Sequence, residues 1–342
     1  MKALVIAEKN APPVWRTVAD PVAGPGEAIV RVYAAALNHR DVWIQRGQYA
    51  GLRWPIVVGS DGAGVVVSSG ESVSSGTADS SGAATWVGKE VIINPSIGWG
   101  DHEGYQAPAG FNVLGLPDDG TLAEYVRVPV ANLVEKPAHL SWEEAAGLPL
   151  AGITAFRSVV VRARVQAGER VLITGVGGGV ALFALQFAVA LGAKVYVSSG
   201  SGVKLDKAMA MGASGGVNYR NPGWAQSLRQ LAGGFDVIID GTAGPSVNDL
   251  LDLAAPGGRV VFYGATLGNA SDVLVRRIFW KQLNVLGSTM GSPADFAAMT
   301  TFVSSHGLRP VVDSVFSAED GAAAFARMEE GQQFGKIVIK IR

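Results

Sequence analysis

The sequence predicts an α/β protein of two domains, a small β-barrel-like domain and a doubly wound parallel sheet. Three observations predict it. Short β runs separated by Gly and Pro fill the chain up to about residue 150, a strand, glycine turn, helix and strand follow over residues 170–213, and two more β/α repeats come after that unit.

The central unit reads RVLITGVGGGVALFALQFAVALGAKVYVSSGSGVKLDKAMAMGA. Val171, Leu172 and Ile173 form a β run that breaks into Gly175, Gly177, Gly178 and Gly179; an apolar helix then runs over residues 180–191, and a second strand over 195–197. Such a unit sets a pyrophosphate on a helix N-terminus. The glycines do not spell a regular GxGxxG, because counting from Gly175 and Gly177 puts Val180 third; Gly175, Gly178 and Ala181, three apart, are the better register. An NAD site wants a carboxylate at the end of the second strand for the ribose hydroxyls, but here that end reads Ser198, Ser199, Gly200, Ser201, with Lys204 one turn on. Hydroxyls and an ammonium suit a 2′-phosphate, which a carboxylate would repel, so the expected cofactor is NADPH. Ser199 and Ser201 could equally cap the helix that carries Lys204 and Lys207, and capping is compatible with phosphate binding.

Composition excludes several alternatives. The chain has 342 residues, 48% hydrophobic and only 17% charged, enough for two cores, and a formal net charge of -1 that points to neither nucleic acid nor an anionic membrane. It has no cysteine, so disulfides, thiolate metal sites and a cysteine nucleophile are excluded. Met1 leads directly into KALVIA without a leader pattern, and the apolar helix is too short to cross a bilayer; a cytoplasmic protein is expected.

In chain order, KALVIA, EAIVRVYAAAL, IVVGSDGAGVVV and KEVIIN read as strands of the first domain. Residues 68–88 are rich in Ser, Gly, Thr and Ala and read as a surface loop. Residues 94–120 are too long for a connector and carry Trp99, Tyr105 and Phe111, which predicts a lobe that packs down. Ser141 followed by Glu143 and Glu144 predicts a capped helix start. FDVIIDGTAG and GRVVFYGAT supply the further strands, each followed by a helix, and NVLGSTMG supplies the last strand. Their carboxyl ends carry Gly241 and Thr242, Gly264, Ala265 and Thr266, and Gly287 and Ser288, where ligands of doubly wound sheets sit, although ordinary strand-to-helix turns would read the same. The tail holds helices over 293–305 and 318–330 and a final GKIVIKI strand, expected to return to the first domain. The domains are therefore 1–150 with 288–342, and 151–287.

The order of GSDGAGVV, EEAAGLPLAGITAF, the glycine unit, SGS with Lys204, Asn218-Tyr219-Arg220 and FGKIVI resembles the medium-chain dehydrogenase/reductase superfamily, in its quinone oxidoreductase-like and zinc-type alcohol dehydrogenase-like branches. The resemblance covers nearly the whole chain and implies a GroES-like catalytic domain beside a Rossmann domain. Zinc enzymes of the family bind metal through Cys-His-x-Asp, Gly-His-Glu and a later Cys or Asp. The matching text here is Asn38-His39-Arg40-Asp41, Gly59-Ser60-Asp61 and the Leu150 region, which does not rebuild that site. Of the four histidines, His39, His102, His139 and His306, no two stand at helical ligand spacing, so no metal is expected. His102 with Asp101 and Glu103 could form a weak surface metal site, a solvated loop being the blander reading.

Without a Lewis acid to develop an alkoxide, an already electrophilic substrate is the easier target: a quinone, or the double bond of an enone or enal. The resemblance places Asn38 and Thr154 near the nicotinamide, matches Tyr49 to a family tyrosine that assists, and puts Tyr219 beside the 2′-phosphate. Asn38, Asp41 and Tyr49 are the candidate catalytic residues, Asp41 either orienting Asn38 or pairing with Arg40, and water serving as proton donor if Tyr49 does not. Trp43, Trp54 and Phe279 are candidates for a flat aromatic pocket, with core packing the alternative. Lys336, in FGKIVI, is counted with the cofactor-binding positions. The reaction expected is NADPH-dependent reduction of a quinone or α,β-unsaturated carbonyl; alcohol/ketone oxidoreduction and a non-catalytic NADPH-gated binding protein are the alternatives. Family analogy implies a homodimer through the strand near Val285.

Overall fold

The first domain forms where short apolar runs alternate with turn residues. A computed structural model, describing residues 1–70 and 86–342, places there β1 (Lys2–Ile6), β2 (Val14–Thr17), β3 (Glu27–Ala36), α1 (His39–Gln45), β4 (Ile56–Val57), β5 (Asp61–Ser69), β6 (Glu90–Ile93), β7 (Ser96–Ile97), β8 (Asn112–Val113), β9 (Tyr125–Pro129), β10 (Leu133–Glu135) and α2 (Trp142–Gly147). The run IVVGSDGAGVVV, read above as one strand, is two, broken at Val58 to Ser60. Residues 71–85, most of the Ser/Gly tract, lie outside the described residues. In the 94–120 segment Trp99 is buried and meets Phe111 edge-on at 5.5 Å, as a packed lobe requires. Tyr105, expected to pack down with them, instead stays 56% exposed, stacked on His102. Ser141 caps α2 in a capping box with Glu144.

Residues from 149 onward change period. α3 (Pro149–Phe156) runs into a π-helical turn, Arg157–Arg162, and then follow β11 (Arg170–Ile173), α4 (Gly179–Ala190), β12 (Lys194–Ser199), α5 (Gly202–Ala210), β13 (Gly215–Asn218), α6 (Trp224–Ala232), β14 (Phe235–Asp240), α7 (Val247–Leu253), β15 (Ala254–Phe262), α8 (Val275–Trp280) and β16 (Asn284–Gly287). The sheet is parallel throughout, in the order β13-β12-β11-β14-β15-β16. Val171, Leu172, Ile173, Val237, Ile238 and Ile239 of its two central strands are fully buried, which is why they read as unbroken apolar runs rather than alternating ones.

The chain then returns with α9 (Pro293–Ser305), β17 (Val312–Ser317), α10 (Gly321–Glu330) and β18 (Lys336–Lys340). β18 pairs antiparallel with β3 and parallel with β17, completing a seven-stranded sheet of the first domain. Two compact units result, Met1–Leu150 with Gly291–Arg342, and Ala151–Met290. No described helix is long and apolar enough to cross a membrane.

This topology gathers chemistry at one edge of the first unit. In β3, Ala36 lies opposite Asp61, the first residue of β5, and also opposite Val338 of β18. The Leu37 N–H donates to the Ile337 carbonyl. Asn38, Asp61 and Lys336, far apart in sequence, therefore stand at the same end of three adjacent strands.

Candidate functional site

In the first unit those three residues form a closed hydrogen-bond triangle. Lys336 Nζ donates to Asn38 Oδ1 at 2.7 Å and to Asp61 Oδ2 at 2.9 Å, and Asn38 Nδ2 donates to the same Asp61 oxygen at 2.9 Å. The other Asp61 oxygen accepts the Leu150 N–H at 2.7 Å. Lys336 is 3% exposed, Asp61 0% and Asn38 8%, so the pair is a desolvated ion pair with an amide locked between its charges. The sequence counts Lys336 with the cofactor ligands; the structure instead turns its ammonium inward, because the β3–β18 pairing delivers it to a buried carboxylate.

Of the two readings of Asp41, orienting Asn38 or pairing with Arg40, the hydrogen bonds favour the first. Its Oδ2 accepts the Asn38 backbone N–H at 2.8 Å and its Oδ1 the Gly59 N–H at 3.2 Å, so it fixes the start of α1 and holds Asn38 from the backbone side. Nor does it share a hydrogen bond with Arg40, whose guanidinium donates to Ser60 Oγ and the Leu114 carbonyl at 2.7 Å each and to the Val113 carbonyl at 3.2 Å. The Tyr49 ring lies over that guanidinium, 5.0 Å from its centre. Tyr49 and Trp54 both rest against the first unit's core. Trp43 is half-buried, and the His39 ring stands 6.2 Å from its own. Phe279 is in the other unit, 62% exposed on α8.

In the second unit the glycine turn has the geometry of an anion cradle. Gly175 and Gly177 take φ of 64° and 128°, and Gly178 is the N-cap of α4 without any side-chain cap. A Cβ on Gly178 would meet nothing within 4 Å, so there is room beside the start of α4, whose first-turn N–H groups have no partner within the helix. On Gly177 the Cβ would collide with the Lys204 side chain at 2.7 Å, which places that chain directly across the turn. Ser199, expected to offer a hydroxyl to phosphate, is 3% exposed and donates to the Val176 carbonyl at 3.1 Å; with Ser198 it braces the turn from below. Ser201 Oγ caps α5, accepting the Lys204 N–H at 3.5 Å. Beside it, a Cβ on Gly200 would lie 2.8 Å from Tyr219 Oη and 2.9 Å from Arg220 Nε. The end of β12 is thus ringed by Ser201, Lys204, Tyr219 and Arg220. In the sequence Arg220 stands out only as part of Asn218-Tyr219-Arg220.

The remaining strand ends are mixed. The Thr242 hydroxyl, counted with the cofactor ligands, donates to the buried Asp240 carboxylate at 2.8 Å, which also accepts from Thr174, Thr242 N–H and Ala243 N–H. Gly241 admits the Tyr263 ring, which a Cβ would strike at 2.4 Å, and its carbonyl accepts from Thr266. Gly264 packs on Gly241, next to exposed Ala265. The Gly287 carbonyl accepts from Arg162. Ser288 Oγ is buried with no hydrogen-bond partner, an orphaned polar atom at the carboxyl end of β16. Thr154 is buried on α3 with its hydroxyl toward the Met290 sulfur.

The domain profile described as alcohol dehydrogenase GroES-like matches residues 24–138, and that described as zinc-binding dehydrogenase matches residues 179–305. The zinc-type alcohol dehydrogenase-like protein YogA of Leptosphaeria maculans is 36% identical over 340 residues, covering 95% of this chain and 93% of that protein. The chain belongs to the medium-chain dehydrogenase/reductase superfamily. Another member, quinone oxidoreductase-like protein 2 of Rattus norvegicus, is 28% identical over 354 residues, covering 100% of this chain and 92% of its own. The crystal structure of an NAD-dependent alcohol dehydrogenase, 37% identical, superimposes with a TM-score of 0.91 over 100% of both chains. The superfamily fold here is a GroES-like domain with a Rossmann domain.

Superfamily membership raises the question of zinc, and the donor set here does not fit it. Leu150 carries no donor, the Ser60 hydroxyl sits between Arg40 and the Leu114 carbonyl, and a metal on Asp61 would have to displace an ammonium 2.9 Å away. His102, His139 and His306 are bonded to nearby backbone groups, and among the described residues no three His, Cys, Asp or Glu side chains converge on a metal position. A nicotinamide dinucleotide does fit: the glycine turn opens on the start of α4, Lys204 and Arg220 bring positive charge to the end of β12, and the buried Ser288 hydroxyl has no hydrogen-bond partner.

Burial pushes the Asp41 carboxyl up to about 6 from an ordinary 3.8, against the pull of neighbouring Arg40. Since the folded value lies above the unfolded one, the Asp41 contribution to stability is fully present below about pH 4 and is lost as pH rises to about 6. Asp41→Asn removes that dependence while leaving an acceptor for the Asn38 N–H. Chemical denaturation of both proteins between about pH 4 and pH 7 should show the wild type gaining roughly 3 kcal/mol relative to the variant on acidification; a constant difference would contradict the shift.

Proposed function

We propose that this protein is a zinc-independent, NADPH-dependent reductase that transfers a hydride to a quinone or an α,β-unsaturated carbonyl compound. The observation that carries this reading is the Asn38–Asp61–Lys336 triangle, in which a lysine ammonium is bound by one residue from each of two segments that match the zinc enzymes' ligand-bearing stretches. Bound NADPH supplies the hydride and thus the difficult chemistry. What the chain supplies is orientation and charge. The N–H groups at the start of α4 hold the pyrophosphate, Ser201, Lys204 and Arg220 hold the 2′-phosphate, and the second N–H of the Asn38 amide donates to the carbonyl oxygen on which negative charge develops. A quinone or enone accepts hydride without prior deprotonation, so no metal is required to form an alkoxide; water protonates the resulting enolate or hydroquinone anion. The names of relatives span quinone oxidoreductase-like and alcohol dehydrogenase-like proteins, and the latter give the second reading, alcohol/ketone oxidoreduction.

The deciding assay is NADPH oxidation by the purified protein across a panel of benzoquinones, enones and enals, before and after dialysis against a zinc chelator. Turnover with these acceptors that survives chelation is expected; alcohol oxidation that chelation abolishes would overturn the proposal in favour of the second reading. For the coenzyme, Ser201→Ala combined with Lys204→Ala should weaken NADPH binding by about tenfold or more, one charge-assisted contact being worth about that, and leave NADH nearly unaffected. Equal losses for both in fluorescence titration would remove the phosphate assignment.

The assembly proposed is a homodimer in which β16, the outermost strand of the parallel sheet, pairs with its counterpart across a two-fold axis. Its Val285 is 44% exposed, and the α8 residues Phe279 and Trp280 before it are 62% and 81% exposed, an apolar edge continuous with the open strand. Light scattering should give a dimer for the wild type and a monomer for Val285→Glu; a monomeric wild type would sink the assignment.

A further inference from the structure

We infer that Lys336 is a positioning residue for the reduction, locking the Asn38 side chain with its amide N–H toward substrate and strengthening that N–H as a donor. The inference rests on the proposed role of Asn38 as donor to the developing oxyanion, and it assigns Lys336 to that task rather than to the coenzyme.

An asparagine amide can sit in either of two orientations related by a flip, and in one of them it would offer substrate a lone pair instead of a hydrogen. Here the neighbours permit only one. An ammonium has donors alone, so the group 2.7 Å from Lys336 Nζ must be Oδ1; a carboxylate has acceptors alone, so the group 2.9 Å from Asp61 Oδ2 must be Nδ2. Reversing the amide would set N–H against ammonium and carbonyl against carboxylate in a buried site, two unfavourable contacts at once. The backbone of Asn38 is pinned separately by Asp41, so the side chain has neither a rotational nor a translational escape. The cation on Oδ1 also withdraws electron density through the amide, making the remaining N–H a stronger donor than that of a free asparagine.

A salt bridge this deeply buried is no strong source of stability, since desolvation offsets its attraction. Its three-way connection to an amide that retains one N–H gives it a use that stability alone does not. Asp61 serves in the same frame, as the acceptor that makes the locked orientation complete.

The test is a set of steady-state and binding measurements on Asn38→Ala, Lys336→Met, Lys336→Arg, the pair Asn38→Ala/Lys336→Met, and Lys336→Met/Asp61→Asn, the last removing both charges so that no unpaired carboxylate is left to unfold the protein. The expected result is that Lys336→Met, or its charge-neutral companion if the single variant does not fold, lowers kcat about tenfold or more, with the NADPH dissociation constant changed less than about twofold. Lys336→Arg, which keeps a cation, recovers part of the loss, and Asn38→Ala/Lys336→Met is no slower than Asn38→Ala alone. Independently of turnover, the Asn38 side-chain amide, identified in nitrogen-15 spectra by its absence from Asn38→Ala, should exchange its hydrogens faster once Lys336 is replaced. Full kcat in Asn38→Ala would overturn the Asn38 donor role and this inference with it. Impaired Asn38→Ala with losses that multiply in the Asn38→Ala/Lys336→Met pair, or a Lys336→Met defect confined to NADPH binding, would overturn the Lys336 role alone and leave the reductase reading standing. Unchanged hydrogen exchange would likewise overturn the locking.

Discussion

A single ammonium, on Lys336, draws together residues from three strands that the chain supplies at widely separated points. Its contacts to Asn38 and Asp61 are possible only because β18 pairs with β3, and β3 with β5, in the registers observed. Move β18 by one residue along β3 and every side chain changes face, so the ammonium would leave the carboxylate it neutralises. The fold of the first unit and the chemistry of its site therefore impose the same register. Burial of Asp61 without a cation would cost several kcal/mol, which makes the pairing a condition for the site and not an addition to it.

The nucleotide-binding unit solves a different problem with different means. There the glycine turn, with Gly175 and Gly177 at positive φ and Gly178 as N-cap of α4, is built from backbone, and Ser198 and Ser199 serve as bracing. A backbone site depends on local conformation and is written in consecutive residues. A side-chain site such as Asn38–Asp61–Lys336 depends on tertiary pairing.

That distinction explains what could be read from the sequence. The strand–turn–helix–strand unit, the later β/α repeats and the return of the last strand are legible because their signals are periodic and local, and Gly178 and Ser201 fall at the starts of α4 and α5. The closeness of Arg220 to Gly200 follows only from the β12–β13 pairing. Ser199 and Thr242 have the right chemistry in the right segment, yet their hydroxyls serve the Val176 carbonyl and Asp240, a choice set by which way each side chain points from its strand end. Lys336 reads from the sequence as a cofactor-binding cation, but burial turns it into support for Asn38 and Asp61. Nothing in FGKIVI announces that its lysine faces a carboxylate 275 residues away.

The two units also differ in continuity. All six strands of the parallel sheet lie within one uninterrupted stretch, Ala151–Met290, whereas the other unit is split and needs Gly291–Arg342 to finish. Contacts between distant segments form late, since closing long loops costs entropy before any pairing is gained. During synthesis the coenzyme-binding half can mature first. At that stage Lys336 has not yet been made, so the triangle with Asn38 and Asp61 is the last part of the protein that can assemble.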